Sequence, residues 1–211
     1  TGGGFDANTG TVIINPNHNC ATRTYMLDVL PSTLFYNMEI NGLYNCVSSI
    51  IATAAGDTVH VANDLIHSDG VLNGQFSLKG NLIVNANADG GTGKIVFNGP
   101  GGQTYTVAPE AARTCQLVVD KPSGAVIPAE GTVDLYIQGL SLLTGDFTAP
   151  SGNMNIGGEW NINATLFTHA GGGFDANEGT VIINPNHNCA TRTYAIDVLP
   201  ETGFYNFTIN G

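Results

Sequence analysis

Residues 2–16 read GGGFDANTGTVIINP, and residues 171–185 read GGGFDANEGTVIINP. The identity runs on. Residues 2–42 return as residues 171–211 at an offset of 169, and only seven of those forty-one positions differ. Near-identity over such a length marks a tandem array, with one full period here and the start of the next. Within the quoted stretch, TVII is an apolar, β-branched run between turn residues: Asp, Asn and Gly before it, Asn and Pro after. That is the signature of a strand, not a helix.

Six of the seven differences are informative. Met26 against Ala195, Leu27 against Ile196 and Met38 against Phe207 stay apolar, which predicts core positions. Thr9 against Glu178 and Ser32 against Glu201 are polar exchanges, which predict surface. Leu34 against Gly203 falls in a turn before an aromatic pair.

A fainter repeat lies inside the period. FSLKGNLIVNA (76–86) aligns with MNIGGEWNINA (154–164), and GKIVFNG (93–99) with GTVIINP (179–185). Thr104-Tyr105 falls opposite Thr193-Tyr194, and CQLVVDK (115–121) opposite YNFTING (205–211). The period therefore divides into two diverged half-units of about 74 and 95 residues, on the alignment logic of internal repeats. This gives a partial half-unit over 1–57, a second over 58–131 and a third over 132–211, in one continuous solenoid.

Similar runs occur along the whole chain: TVIIN (11–15), TYMLDV (24–29), FYNMEI (35–40), TVHVA (58–62), NLIVN (81–85), KIVFN (94–98), TYTVA (104–108), QLVVD (116–120), TVDLYI (132–137) and EWNIN (159–163). Helical periodicity is absent apart from one turn's worth in APEAAR (108–113). The fold class is all-β. A β-solenoid, like a parallel β-helix, with rungs of roughly 20 residues or more fits the period. It also explains Asn and Gly at strand ends, where successive rungs turn at the same corners and amides can bond up a stack. Tandem β-sandwich domains of roughly 80–100 residues fit the unit lengths as well.

Composition bounds the function. Charged residues are 11% and hydrophobic ones 42%, so the chain is expected to fold and to be solvated by amides and hydroxyls. The formal charge is −11, and the six Lys and Arg (Arg23, Lys79, Lys94, Arg113, Lys121, Arg192) are scattered. Nucleic-acid binding needs clustered positive charge, so no nucleic acid is expected. No apolar run is long enough to span a bilayer as a helix, and no signal peptide is present. The start at Thr1-Gly2-Gly3-Gly4, without Met, reads as a mature or excised piece of something longer.

The order G-x-L/W-x-I-N, GGGFDAN-x-GTVIINP, FYNxxING resembles repeats of large secreted bacterial surface proteins and adhesins. The resemblance covers most of residues 58–211 and residues 2–42. It implies an extracellular or cell-surface location and an elongated parallel β-helical stalk. The cysteines and the NPNHNCATRTY insert depart from that pattern.

In a secreted chain the four cysteines, Cys20, Cys46, Cys115 and Cys189, read as disulfide formers. Cys20 with Cys46 is the candidate pair, both in Asn-flanked turns. Cys115 is left as a buried thiol or an intermolecular link. A set of small buried apolar residues is the other reading of all four.

Few residues carry candidate chemistry. Asp6 and Asn8, with their copies Asp175 and Asn177, sit in Gly-bounded turns whose oxygens could wrap a calcium ion; local turn bonding is the competing reading. His18 and His187 precede cysteines as H-x-C, and His60, His67 and His169 add no metal-ligand spacing, so turn or surface histidines are expected. The densest titratable cluster is HVANDLIHSDG, with His60, Asp64, His67 and Asp69. A carbohydrate-active β-helix enzyme would need paired carboxylates or a base with a basic partner. The expectation is no catalytic centre and no cofactor. Trp160, Phe35-Tyr36 and Phe204-Tyr205 could stack on surface glycans, but alternating-strand placement predicts core. Asn163 and Asn206 begin glycosylation sequons.

Two functions follow as expectations. One is an extracellular filament, fibre or sheath in which the partner is the chain itself, head to tail. The other is the stalk or binding region of a cell-surface adhesin.

Overall fold

The computed structural model describes residues 5, 7–16, 22–42, 49–109, 112–157, 164–185 and 191–210. The chain winds as a parallel β-solenoid of about eight turns, with no helix among the described residues. Each turn crosses three faces, here I, II and III.

The first turn is β1 (Thr11–Ile14), β2 (Thr24–Leu27) and β3 (Leu34–Phe35). The second is β4 (Asn37–Asn41), β5 (Ile50–Thr53) and β6 (Thr58–Val61). In the third, β7 (Leu65–Asn73) bends across faces I and II before β8 (Gln75–Leu78). The fourth does the same with β9 (Leu82–Ala88) and β10 (Lys94–Phe97). The fifth is β11 (Gln103–Val107), β12 (Arg113–Thr114) and the start of β13 (Gln116–Pro128). The rest of β13 opens the sixth, followed by β14 (Leu135–Ile137) and the start of β15 (Leu140–Thr148). The rest of β15 opens the seventh, with β16 (Asn153–Ile156) and β17 (Ala164–His169). The eighth is β18 (Gly173–Asp175), β19 (Thr180–Ile183) and β20 (Tyr194–Val198), and β21 (Asn206–Ile209) lies on face II beyond it.

Every strand pairing among the described residues is parallel, and the strands of the interior turns bond to the one a turn earlier and the one a turn later. This excludes the sandwich alternative, whose sheets are antiparallel. Turn length is uneven. One turn takes 17 residues, from Leu65 to its neighbour Leu82, and another takes 29, from Phe167 to Ile196.

Alternation along each strand sends every second side chain inward. On face III, Phe76, Ile95, Leu117, Leu140 and Phe167 stack in one buried column. On face I, Tyr105 and Phe147 lie parallel with ring centroids 5.6 Å apart, and Phe147 and Phe174 follow at 6.5 Å. Burying each such side chain contributes roughly 1.5–3 kcal/mol.

The same alternation corrects one expectation. Met26 is 57% exposed, because Tyr25 and Leu27 beside it take the inward positions. Its counterpart Ala195 is exposed too, so this apolar exchange marks the outside of the strand. Leu27, Ile196 and Met38 face inward as expected.

Corners are stitched by two devices. At the corner leading from face III to face I, Asn63 Nδ2 donates to Asn37 Oδ1 at 2.8 Å, and Asn81 Nδ2 donates to Asp64 Oδ1 at 3.1 Å. Thr104 N–H then donates to Asn81 Oδ1 at 2.9 Å. Amides thus bond up a stack, as the Asn content predicts. Later turns change device at that corner: Gly101, Gly124, Gly145 and Gly172 all hold φ between +77° and +86°. A side chain on Gly172 would lie 1.8 Å from the Gly145 carbonyl oxygen, so only glycine fits.

The 169-residue period is not a whole number of turns. β18 is the eighth strand on face I counting from β1, so it stands seven turns on, and β19 follows it on face II. The two copies of TVII, β1 and β19, therefore lie seven and a third turns apart, on different faces. The aligned strand KIVF of β10 falls midway between them, eleven faces from each, on face III.

Candidate functional site

The two repeated segments stand at opposite ends of the described solenoid and differ in which side is paired. β1 pairs only with β4, a turn later, with Thr11 opposite Asn37 and Ile14 opposite Ile40. Its copy β19 pairs with β21 in the same register and also with β16, a turn earlier. The consequence is visible in burial. Val12 and Ile14 are half-buried, whereas Val181 and Ile183 are 1% and 3% exposed. At the other end, Met38 and Ile40 on β4 are fully covered by β7, while their counterparts Phe207 and Ile209 on β21 are 39% and 63% exposed. Tyr205 is 65% exposed beside them. The near-identical copies thus differ in burial through what lies beside them.

The titratable cluster of HVANDLIHSDG is split by the coil. His60 lies on β6 of face III, opposite Leu34 and Ser77. Asp64 is taken up in the corner ladder with Asn81. His67 turns into the core and is 0% exposed. Its Nε2 lies 2.8 Å from the Gly70 carbonyl and its Nδ1 3.2 Å from the Thr114 hydroxyl. Burial lowers its pKa to about 4, against smaller opposing effects from the Gly70 carbonyl and Asp89. Asp69 stays beside it, 8% exposed, with its pKa raised by burial and then by Asp89. The carboxylate that acts on Asp69 is Asp89, from outside the HVANDLIHSDG run.

His169 repeats the His67 arrangement. Its Nδ1 is 2.7 Å from the Thr202 hydroxyl and its Nε2 is 3.1 Å from the Gly172 carbonyl. Both histidines are buried, so they are not surface residues, but each stands at a turn of the solenoid. The physical reason is a corner: in His-x-x-Gly at 67–70 and 169–172, a left-handed glycine turns its carbonyl back to the ring. That His-x-x-Gly spacing is readable in the sequence. His18 and His187 lie outside the described residues.

Lys121 is a further buried ionisable group, 2% exposed. Its ammonium donates to the Gly99 carbonyl at 2.8 Å and to Gln103 Oε1, while Gln103 Nε2 donates to the carbonyls of Leu78 and Gly80. Burial pushes its pKa down. The group ties three turns together at one corner.

For the calcium candidates, Asp6 lies outside the described residues, and Asn8 holds a left-handed φ of 45°. In the second copy, Asp175 Oδ1 accepts the Asn177 N–H at 2.9 Å, and Asn177 Nδ2 donates to the Ala149 carbonyl at 3.1 Å. The first is the bond of an Asx turn, and the second ties that turn to the coil before it. Among the described residues, no three His, Cys, Asp or Glu side chains converge on one point. Cys20, Cys46 and Cys189 lie outside the described residues, as do Trp160 and Asn163. Cys115 is fully buried, and burial pushes its thiol up to about 12, so it is a core thiol and not a link to another chain.

Face II carries a polar groove of about 220 Å³, lined by Arg113, Tyr136, Gln138, Asn155 and Asn184 among others. Its groups are donors and acceptors with one aromatic, and no acid–base pair. Comparison with known protein families, curated proteins and solved structures finds no match.

Proposed function

We propose that this chain is a structural segment of an extracellular filament, fibre or sheath, extended by continuation of the solenoid from one repeat into the next. The observation that carries this reading is the paired state of the copies. β4 shows how β21 looks when a further turn covers it, and β19 shows how β1 looks when a preceding turn supports it. Each copy therefore shows the contact that continuation of the solenoid would give to the other.

Such a contact is heterologous, one end meeting the other, and runs on into a filament unless its rotation closes a ring. Concentration-dependent light scattering with negative-stain electron microscopy tests it. Long filaments of uniform width are expected. A compact monomer over a wide concentration range, with both ends ordered, argues against it.

The likeness to bacterial adhesin repeats supports a second reading, a rigid stalk holding a binding region away from a cell. The face II groove is the surface where a glycan would dock in that case, because amides and a tyrosine suit sugar hydroxyls and ring faces.

A further inference from the structure

Face II carries a second cavity beside the polar groove, and Tyr136 lines both. The groove lies on the Gln138 side, with Arg113, Asn155 and Asn184. The second cavity, of about 170 Å³, lies on the Val133 side and is walled by Val107, Ala108, Pro109 and Asp134. We propose that the two are adjoining subsites for one glycan chain lying across face II, the apolar one receiving the acetamido group of a neutral N-acetylated amino sugar. This deepens the reading of face II as a glycan surface and rests on it.

Strand alternation builds both subsites. In β14, Leu135 and Ile137 are buried, so Asp134, Tyr136 and Gln138 point outward. Arg113, Tyr136 and Asn155 are paired residues of β12, β14 and β16, and stand one above another on consecutive turns. Gln138, Gly157 and Asn184 form the next outward row, each following an inward isoleucine: Ile137, Ile156 and Ile183. Gly157 has no side chain, and this leaves the gap between Gln138 and Asn184. The backbone does not demand glycine there. Its φ is not positive, and an added Cβ would come no closer than 3.4 Å to the Asn184 carbonyl oxygen.

The lining selects the ligand. Gln138 Oε1 is buried with no hydrogen-bond partner among the described residues, a cost that an entering O–H or N–H relieves. Arg113 supplies positive charge, but Asp89 stands opposite it one turn earlier and Asp134 lines the other cavity. A guanidinium flanked by two carboxylates suits a neutral ring better than an acidic one. In the second cavity a sugar hydroxyl would lie unbonded against Val107, Ala108 and Pro109. An acetamido methyl fills such a wall, and its N–H has the Asp134 carboxylate as acceptor. That carboxylate is held in place, because Asn153 N–H donates to Asp134 Oδ1 at 2.7 Å. Val133 beside it is 56% exposed, an apolar rim at the entrance.

A peptide also combines amides with methyl groups. Extended peptides, however, bind by adding a strand to a free sheet edge. Here β14 is bonded to β12 on one side and β16 on the other, and β16 is bonded to β14 and β19, so this stretch of face II has no edge to extend. From Val133 to Gln138 the chain spans about 17 Å when extended, which suits a trisaccharide.

Titration calorimetry of the whole chain with tri-N-acetylchitotriose and with cellotriose tests the assignment, since the two sugars share a linkage and differ in the acetamido groups. The acetylated sugar is expected to bind about tenfold tighter or more, the discrimination available to one small apolar group. Val133→Asp should abolish that preference, and Gly157→Gln, which fills the groove, should weaken both sugars about tenfold. Val133 is exposed and Gly157 has room for a Cβ, so both variants should keep the wild-type circular dichroism spectrum. A glycan array run in parallel covers other linkages. Equal affinity for the two trisaccharides, or array signals from unacetylated glycans alone, would overturn the acetamido assignment and leave the glycan reading standing. Binding unmoved by either variant would place the sugar elsewhere and overturn the two subsites. No heat with either sugar and a silent array would overturn both.

Discussion

His67 is held between a glycine carbonyl and a threonine hydroxyl with no exposed surface, and that fixes how the fold responds to acid. Its folded pKa of about 4 lies below the ordinary 6.5. Between those values the unfolded chain binds the proton and the folded chain does not, so stability falls as pH drops from 6.5 towards 4 and is fully present above 6.5. The shift corresponds to about 3 kcal/mol. Asp69 works the other way: its raised pKa makes the folded state the better proton acceptor just above 3.8, which offsets part of the loss at the acid end. Denaturation midpoints measured from pH 7.5 to 4 should fall, and the slope should flatten in His67→Gln. A slope unchanged by that substitution would remove His67 as the cause. Glycine gives a second residue-level test. Gly172→Ala puts a methyl into the Gly145 carbonyl, whereas Gly101→Ala meets open space and suffers only its φ of +86°. The left-handed penalty alone is about 1–2 kcal/mol. Gly172→Ala should exceed that clearly in urea unfolding, and Gly101→Ala should stay within it. Cys115, buried and poorly ionised, should resist alkylation in native protein and react once denaturant is added.

At the scale of strands, the sequence was readable where one strand lies flat on one face. TVII, KIVF and TYTV alternate cleanly and fold as β1, β10 and β11. It was less readable where a strand bends. LIHSDGVLN contains His, Asp and Gly in its middle, the residues of a loop, yet forms β7 because the corner falls inside it and His67 and Gly70 make that corner. β15, LSLLTGDFT, hides its bend at Thr144 and Gly145 in the same way. The candidate sites were the least readable part, since which titratable groups meet depends on turn lengths that vary from 17 to 29 residues. Inward columns depend on each member. Phe147, fully buried between Tyr105 and Phe174, should cost about 3–5 kcal/mol when replaced by alanine, read from denaturant midpoints. A loss below about 1 kcal/mol would mean the column is loosely packed.

For the molecule as a whole, the repeat announced the solenoid, but not its rotation. Offset and identity are sequence facts, whereas the face on which each copy falls depends on how many corners the intervening residues turn. The uneven turns have a mechanical meaning as well. Hydrogen bonds between turns run along the long axis, so a load applied to the two ends strips the outermost turn first and then the next. Each turn stripped lengthens the tether by its own residue count, at about 3.5 Å per residue. The 17-residue turn at Leu65–Leu82 would yield about 6 nm and the 29-residue turn at Phe167–Ile196 about 10 nm. Stretched in an optical trap, one molecule should therefore give a staircase of unequal steps whose order reads out the turn lengths. A thread of this kind would absorb a pull gradually, one coil at a time, where a bundle of closed domains would yield in a few large jumps.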